Sequence, residues 1–143
     1  MVIVATVTRD KPQRGVVEEG QKLAHAFDEE LHVLNVLKLS EFVDIETDAV
    51  RDSGRPEEMR TVRSKAESVA REAVDGLTDD AVAVGRVGDP AEQILQYATE
   101  EDASYVVVGG RKRSPTGKAL FGSVTQSVLL EADRPIVTVM QSN

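Results

Sequence analysis

Five short runs of β-branched and other apolar residues punctuate this chain. Each is separated from the next by a stretch whose apolar residues recur every three or four positions. The first run is Val2-Ile3-Val4-Ala5-Thr6-Val7, and the others cover residues 31–37, 81–84, 104–108 and 135–140. A near-continuous apolar run reads as a strand buried on both faces, as in a parallel sheet. Between the runs, Val16, Val17, Leu23, Ala24 and Phe27 make one buried stripe on a helix over 14–27. Pro56 followed by two acids marks a second helix start, and Met59, Val62, Ala66, Val69, Ala73 and Leu77 carry that helix onward. Asp89-Pro90-Ala91-Glu92 is a capping signature ahead of Ile94, Leu95 and Ala98, and a fourth helix covers 124–130. Residues 8–13, with Pro12, and most of 38–54 read as loop. The order β-α-β-α-β-α-β-α-β implies an α/β fold: a doubly wound, Rossmann-like parallel sheet of five strands with helices on both faces. Ligands on such sheets bind at the carboxyl ends of the strands, where the strand order reverses.

The 143 residues suit a single domain spanning 1–143, long enough for a substantial core. With no cysteine, a disulfide framework, a thiolate zinc site and a cysteine nucleophile are excluded. A net charge of −8 argues against a general affinity for nucleic acid. No basic region precedes the first apolar run and no run is long enough to span a bilayer, so neither a signal peptide nor a membrane partner is expected, and the cytoplasm is the expected compartment. His25 and His32 stand in no metal-ligand spacing, and no nucleophile–base pair can be named. The expectation is a binding module, at most a slow hydrolase.

One segment stands apart from this acidic background. Residues 109–125, GGRKRSPTGKALFGSVT, hold Arg111, Lys112, Arg113 and Lys118 with four glycines and no acid. They join the fourth strand to the fourth helix. A strand-to-helix loop presents backbone N–H groups and the positive end of the helix dipole, so an anion fits there. Glycines permit close approach, and Ser123 and Thr125 add hydroxyls. The P-loop pattern fails, because Ala119 follows Gly117-Lys118 and Lys112 stands at the upstream glycine position, and the dinucleotide fingerprint G-x-G-x-x-G is absent. A flexible turn with solvated basic side chains remains the competing reading.

The spacing Gly109-x-x-Lys112-(nine residues)-Gly122-Ser123 resembles the G-x-x-G-(nine)-G-[ST] signature of the universal stress protein family. Gly122-Ser123-Val124-Thr125, Glu30-Leu31-His32-Val33-Leu34-Asn35-Val36, Gly88-Asp89-Pro90-Ala91-Glu92-Gln93-Ile94 and Arg134-Pro135-Ile136-Val137-Thr138-Val139 extend the resemblance over nearly the whole chain. The resemblance implies strand order 3-2-1-4-5 and an adenine-nucleotide site for ATP, ADP or AMP. By position, Gly109, Gly122, Ser123 and Thr125 would hold the phosphates and ribose, beside Val108, Lys112 and Val124. Val36 would border the adenine, and Ala5 and Thr6 would line the pocket. The chain departs from the family pattern at Lys112, where the signature has glycine, and at Val7, where the first strand usually ends in aspartate, with Asp10 three residues on. A homodimer through residues 135–140 is also implied, because that strand lies at the sheet edge. The alternative is a dimeric interaction module with an altered pocket.

Overall fold

The computed structural model describes residues 1–8, 13–38, 55–77, 80–113 and 118–142. The loop expected at 8–13, apart from its two ends, and the segment 39–54 lie outside them, as do Asp10 and Pro12. Among these residues, six strands and four helices follow in the order β1 (Val2–Val7), α1 (Arg14–Phe27), β2 (Glu30–Leu37), α2 (Arg55–Val74), β3 (Val82–Val87), α3 (Pro90–Glu100), β4 (Ala103–Arg113), β5 (Lys118–Leu120), α4 (Ser123–Glu131) and β6 (Ile136–Ser142). Five of the strands run parallel in the order β3-β2-β1-β4-β6. This is the 3-2-1-4-5 arrangement implied above, with β6 as the fifth parallel strand.

The difference lies in the glycine-rich segment. β4 does not stop at residue 108 but continues to Arg113, and Lys118–Leu120 turns back on it as an antiparallel strand. Further down β4, the edge that β5 occupies belongs to β1, whose pairing ends at Ala5↔Val107. The opposite edge carries β6 as far as Lys112↔Ser142. The hairpin therefore lies beyond the carboxyl end of β1. Side chains crowd the base of this extension on both faces. A Cβ on Gly109 would stand 3.0 Å from Gln13 Nε2, and one on Gly110 would stand 2.9 Å from both Met140 Sδ and Phe121 Cε1.

The two faces of the sheet make two cores. Ile3, Ala5, Val7, Val33 and Val107 pack under α1 and α2, whereas Val2, Val4, Leu34, Val106 and Val108 pack under α3 and α4. Burial on both sides is why β1 reads as a continuous apolar run. Where α1 crosses closest, a Cβ on Gly20 would stand 3.1 Å from that of Ala5 and 2.9 Å from Leu31 Cδ1. The stripe of α1 is buried at Val16, Val17, Gly20 and Ala24, but Phe27 is exposed and stacks on Tyr105, ring centres 5.6 Å apart. α2 buries Val62, Ala66, Ala70 and Val74, a strict four-residue spacing, and ends at Val74. Val69, Ala73 and Leu77 flank that line, and Gly76, at φ 77°, turns the chain out of the helix. Asp89 caps α3 as its signature predicts, accepting from the Glu92 N–H at 3.0 Å with Pro90 at the first helical position.

Candidate functional site

Strand order reverses between β1 and β4, and a cleft of about 150 Å³ opens at the carboxyl ends of β1, β2 and β4. β1 supplies Thr6 and Val7 to it, and β2 supplies Leu34, Asn35 and Val36. Gly109 comes from β4, Pro90 and Ile94 from the first turns of α3, and Val124 and Thr125 from the first turn of α4. Thr8, Gln13 and Lys38 complete it from the segments just beyond the strands. Among these lining residues there is no carboxylate and no imidazole. A larger groove, about 580 Å³, lies at the opposite end of the sheet, but Asp28, Glu29, Glu30 and Asp80 line it, and such a surface repels phosphate.

Three helices begin at the cleft, α1 after Gln13, α3 after Asp89 and α4 after Gly122, and of these only α3 has a side-chain cap. The N-terminus of α3 is satisfied by the Asp89 carboxylate. The N-terminus of α4 has Gly122 as its cap residue and no side-chain cap. The positive end of its dipole and its first backbone N–H groups thus lie open where an anion would be welcome. The Thr125 hydroxyl donates to Gly109 O at 3.0 Å, which pins this helix start to β4. What remains to Thr125 for a ligand is its oxygen lone pairs and its backbone N–H. Thr6 is tied similarly, its hydroxyl donating to Val107 O at 3.2 Å. Gln13 shapes the α1 side: its Oε1 accepts from the Thr8 N–H at 2.8 Å, and its Nε2 packs over Gly109.

Of the residues singled out in the sequence, Thr6, Val36, Gly109, Val124 and Thr125 come together on the cleft wall. Ala5 and Val108 lie below it in the core, at 0 % and 2 % exposure, with Ala5 turned towards α1 and Val108 towards α3 and α4. Gly122 and Ser123 are exposed at the start of α4 and do not line the cleft. Lys112 is placed through its backbone, paired with Ala119 on one side and Ser142 on the other, and its side chain lies outside the described residues, as do those of Arg111, Arg113 and Lys118. Val7 turns its side chain into the core under α1 and α2, at 3 % exposure.

Asn35, Gln13, Lys38, Pro90 and Ile94 were not singled out as site residues. Asn35 was legible in principle: it is a polar residue inside an apolar strand, and parallel pairing sets it beside Val7.

His32, also buried, belongs to a separate network facing α3. Its Nδ1 lies 2.6 Å from the Tyr97 hydroxyl and its Nε2 3.3 Å from Glu30 Oε2. Burial, reinforced by the nearby Glu101 carboxylate, pushes the Tyr97 hydroxyl up to about 12. Arg86 lies over the Tyr97 ring and hydrogen-bonds Glu100, which holds that carboxyl below its usual range. His25 is exposed.

The universal stress protein family model matches residues 1–140, and the chain belongs to that family. A universal stress protein of Mycolicibacterium smegmatis is 43 % identical over 51 residues, a match covering 36 % of this chain and 39 % of that one. The universal stress protein MJ0577 of Methanocaldococcus jannaschii is 28 % identical over 82 residues, covering 57 % and 49 %. The matched stretches thus span less than half of either relative. Among solved structures, a universal stress protein from Archaeoglobus fulgidus superposes with a TM-score of 0.60 at 27 % identity, over 96 % of this chain and 97 % of that one. Two others share the fold: a universal stress protein in complex with cAMP (TM-score 0.59, 20 % identity, 98 % and 96 % covered) and the A. fulgidus protein in complex with dAMP (TM-score 0.54, 21 % identity, 96 % of each covered). No helix among the described residues is long and apolar enough to cross a membrane.

Proposed function

We propose that this member of the universal stress protein family binds an adenine nucleotide at the cleft, with its phosphates on the N-terminus of α4. The helix starts carry this reading: α3 is capped by its own carboxylate, whereas α1 and α4 have no side-chain cap, and of these two it is α4 whose first turn, Val124 and Thr125, lines the cleft. An anion completes α4 and would be repelled at α3 by Asp89. The absence of carboxylates among the described lining residues agrees with an anionic ligand. A cleft of about 150 Å³ is smaller than the roughly 300–1,000 Å³ of most ligand pockets. It suits the base half of a nucleotide, with the phosphates outside along Gly122 and Ser123. The cAMP and dAMP complexes of structural relatives support the choice of an adenine nucleotide. Binding rather than turnover is the activity proposed, since the described lining residues include no general base.

The working unit is proposed to be a homodimer. Among the described residues β6 pairs with β4 alone, so its other edge presents unpaired backbone groups. Ile136, Val137, Val139 and Met140 are only partly buried there, and Leu130, in the preceding helix, is 85 % exposed. A second copy related by a two-fold axis would cover this edge and stop growth at two.

Titration calorimetry with AMP, ADP and ATP, together with mass spectrometry and 260 nm absorbance of whatever co-purifies, tests the nucleotide reading. Saturable 1:1 binding per chain is expected. Absence of heat and of any co-purifying nucleotide overturns it. Phosphate release from ATP under the same conditions would show that turnover had been missed.

A further inference from the structure

Gln13 is half-buried and lines the cleft with Thr8 and Gly109. It precedes α1 as the cap residue, but its side chain bonds none of that helix's N–H groups. The side chain turns back to the end of β1 instead, where Oε1 accepts from the Thr8 N–H at 2.8 Å. Of the two ends of an amide only the oxygen can accept from an N–H, so this bond decides the orientation of the group. The NH₂ end therefore falls on Gly109, with Nε2 3.0 Å from the place a Cβ would take there. Among the described residues Nε2 has no hydrogen-bond partner. It is not sealed off either, because the buried side-chain atoms without a partner among those residues are Glu29 Oε2 and Asn35 Oδ1. Gly109 is also where α4 reaches the cleft, since Thr125 in its first turn donates its hydroxyl to Gly109 O. One residue of β4 thus joins an unused amide donor to an uncapped helix start.

We propose that Gln13 binds the ligand directly: its Nε2–H donates to an oxygen of the phosphate nearest the nucleoside, where the nucleotide passes from the cleft to α4. This inference rests on the nucleotide reading and deepens it. An NH₂ group has only donors, so its partner is an acceptor. Among the acceptors of an adenine nucleotide the phosphate oxygens are the ionised ones, and hydrogen bonds to ionised acceptors are about twice as strong as neutral ones. The surroundings favour the same choice. Gly109 is contacted by Gln13 and Val16 at the start of α1 and by Thr125 at the start of α4. Neither start has a side-chain cap, so both dipoles add positive potential there. No carboxylate among the described lining residues opposes them.

A Gln13 that merely held Thr8 in place would be indifferent to losing its NH₂ group. Gln13→Glu separates the two roles. Its carboxylate still accepts from the Thr8 N–H, but a second oxygen replaces the donor and faces the phosphate. Titration calorimetry with AMP, at low and high salt, compares this variant with the native protein. AMP affinity is expected to fall about tenfold or more at low salt, with Tm within about 2 °C of native, and the deficit should shrink at high salt as the repulsion is screened. A Gln13→Glu protein that binds AMP within about twofold of native at low salt overturns the proposal while leaving nucleotide binding intact. So does a deficit that salt leaves unchanged, which would mark a displaced Thr8. No binding of AMP to the native protein overturns both readings. If Gln13→Glu fails to fold, the side-chain ¹⁵N–¹H resonances of Gln13 in the native protein decide. They should move on adding AMP together with the backbone resonances of Gly109 and Thr125. Side-chain resonances that stay in place while those move overturn the proposal.

Discussion

Gly85 sits at the middle of β3 with the backbone of α2 directly above it. A Cβ there would lie 2.2 Å from Glu67 N, 2.5 Å from Arg63 O and 2.8 Å from the carbonyl carbon of Ala66. Non-bonded heavy atoms need about 3.5 Å, so Gly85→Ala requires α2 to rise by about 1 Å or β3 to sink by as much. No flexible side chain can absorb this, because all three atoms are backbone. A raised α2 loosens Val62, Ala66, Ala70 and Val74, which are 2 %, 0 %, 0 % and 7 % exposed. Overpacking of this kind costs about 1–3 kcal/mol, and more where rigid backbone must move. Replacing glycine in a strand returns about 0.5–1 kcal/mol through the unfolded chain. A net loss of about 2 kcal/mol follows, which for a domain of 143 residues is a fall in Tm of about 8 °C. Thermal unfolding followed by circular dichroism, with urea midpoints as a check, measures it. A fall of less than 2 °C would refute the close contact between α2 and β3.

Tyr97 gives a pH dependence. With its hydroxyl at about 12 in the fold against an ordinary value of 10, the folded state keeps a proton that the unfolded state loses, so stability is full below pH 10 and declines between pH 10 and 12. Urea midpoints across that range should fall less steeply in Tyr97→Phe, and equal slopes would count against this origin. Val137→Lys should shift the protein towards monomer in light scattering by placing a charge in the β6 contact, and a native protein monomeric at tens of micromolar would end the dimer reading. Lys112→Ala should weaken nucleotide binding and flatten its salt dependence, and unchanged titrations at two salt concentrations would place the ammonium away from the phosphates.

The parallel β-α alternation was legible because the long strands are mostly apolar and each helix keeps its stripe, whereas the order 3-2-1-4-5 came from the resemblance to the family. The chain carries its caps as well, so the start of α3 could be placed from Asp89-Pro90-Ala91-Glu92 alone. The misreadings have local causes. Phe27 fits the period of α1, yet the helix overruns its core contact there and the ring stacks on Tyr105 instead. Leu77 fits the period of α2, but Gly76 adopts a positive φ and ends the helical path before it. The extension of β4 was hidden because Gly109 and Gly110 read as loop punctuation. In the fold both are strand residues, crowded by Gln13 on one face and by Phe121 and Met140 on the other. Asn35 stands out in the sequence as a polar residue inside an apolar strand, but its hydrogen bond to Val7 O depends on a register between strands that no local pattern encodes.

That assignment changes what the glycines of the segment mean. A glycine is required either by backbone conformation or by a close neighbour. Gly109 and Gly110 have protein side chains that a Cβ would crowd. Gly122 has neither reason: its φ of −64° and ψ of 165° suit any residue, and a Cβ there would meet nothing within 4 Å. Its role as the cap of α4 does not demand glycine either, since serine, aspartate or asparagine would serve the helix at least as well. Each of those, however, would set its own oxygen on the N–H groups that an anion needs. Gly122 thus leaves the helix start uncapped and clear. Gly122→Asp should therefore stabilise α4 by up to about 1 kcal/mol while weakening nucleotide binding at least tenfold. Gly122→Val should weaken binding without that gain in stability, and more than Ser123→Ala does. Paired thermal unfolding and calorimetry measure the two effects. A Gly122→Asp protein that gains stability and still binds nucleotide with native affinity would show that the phosphates do not rest on α4.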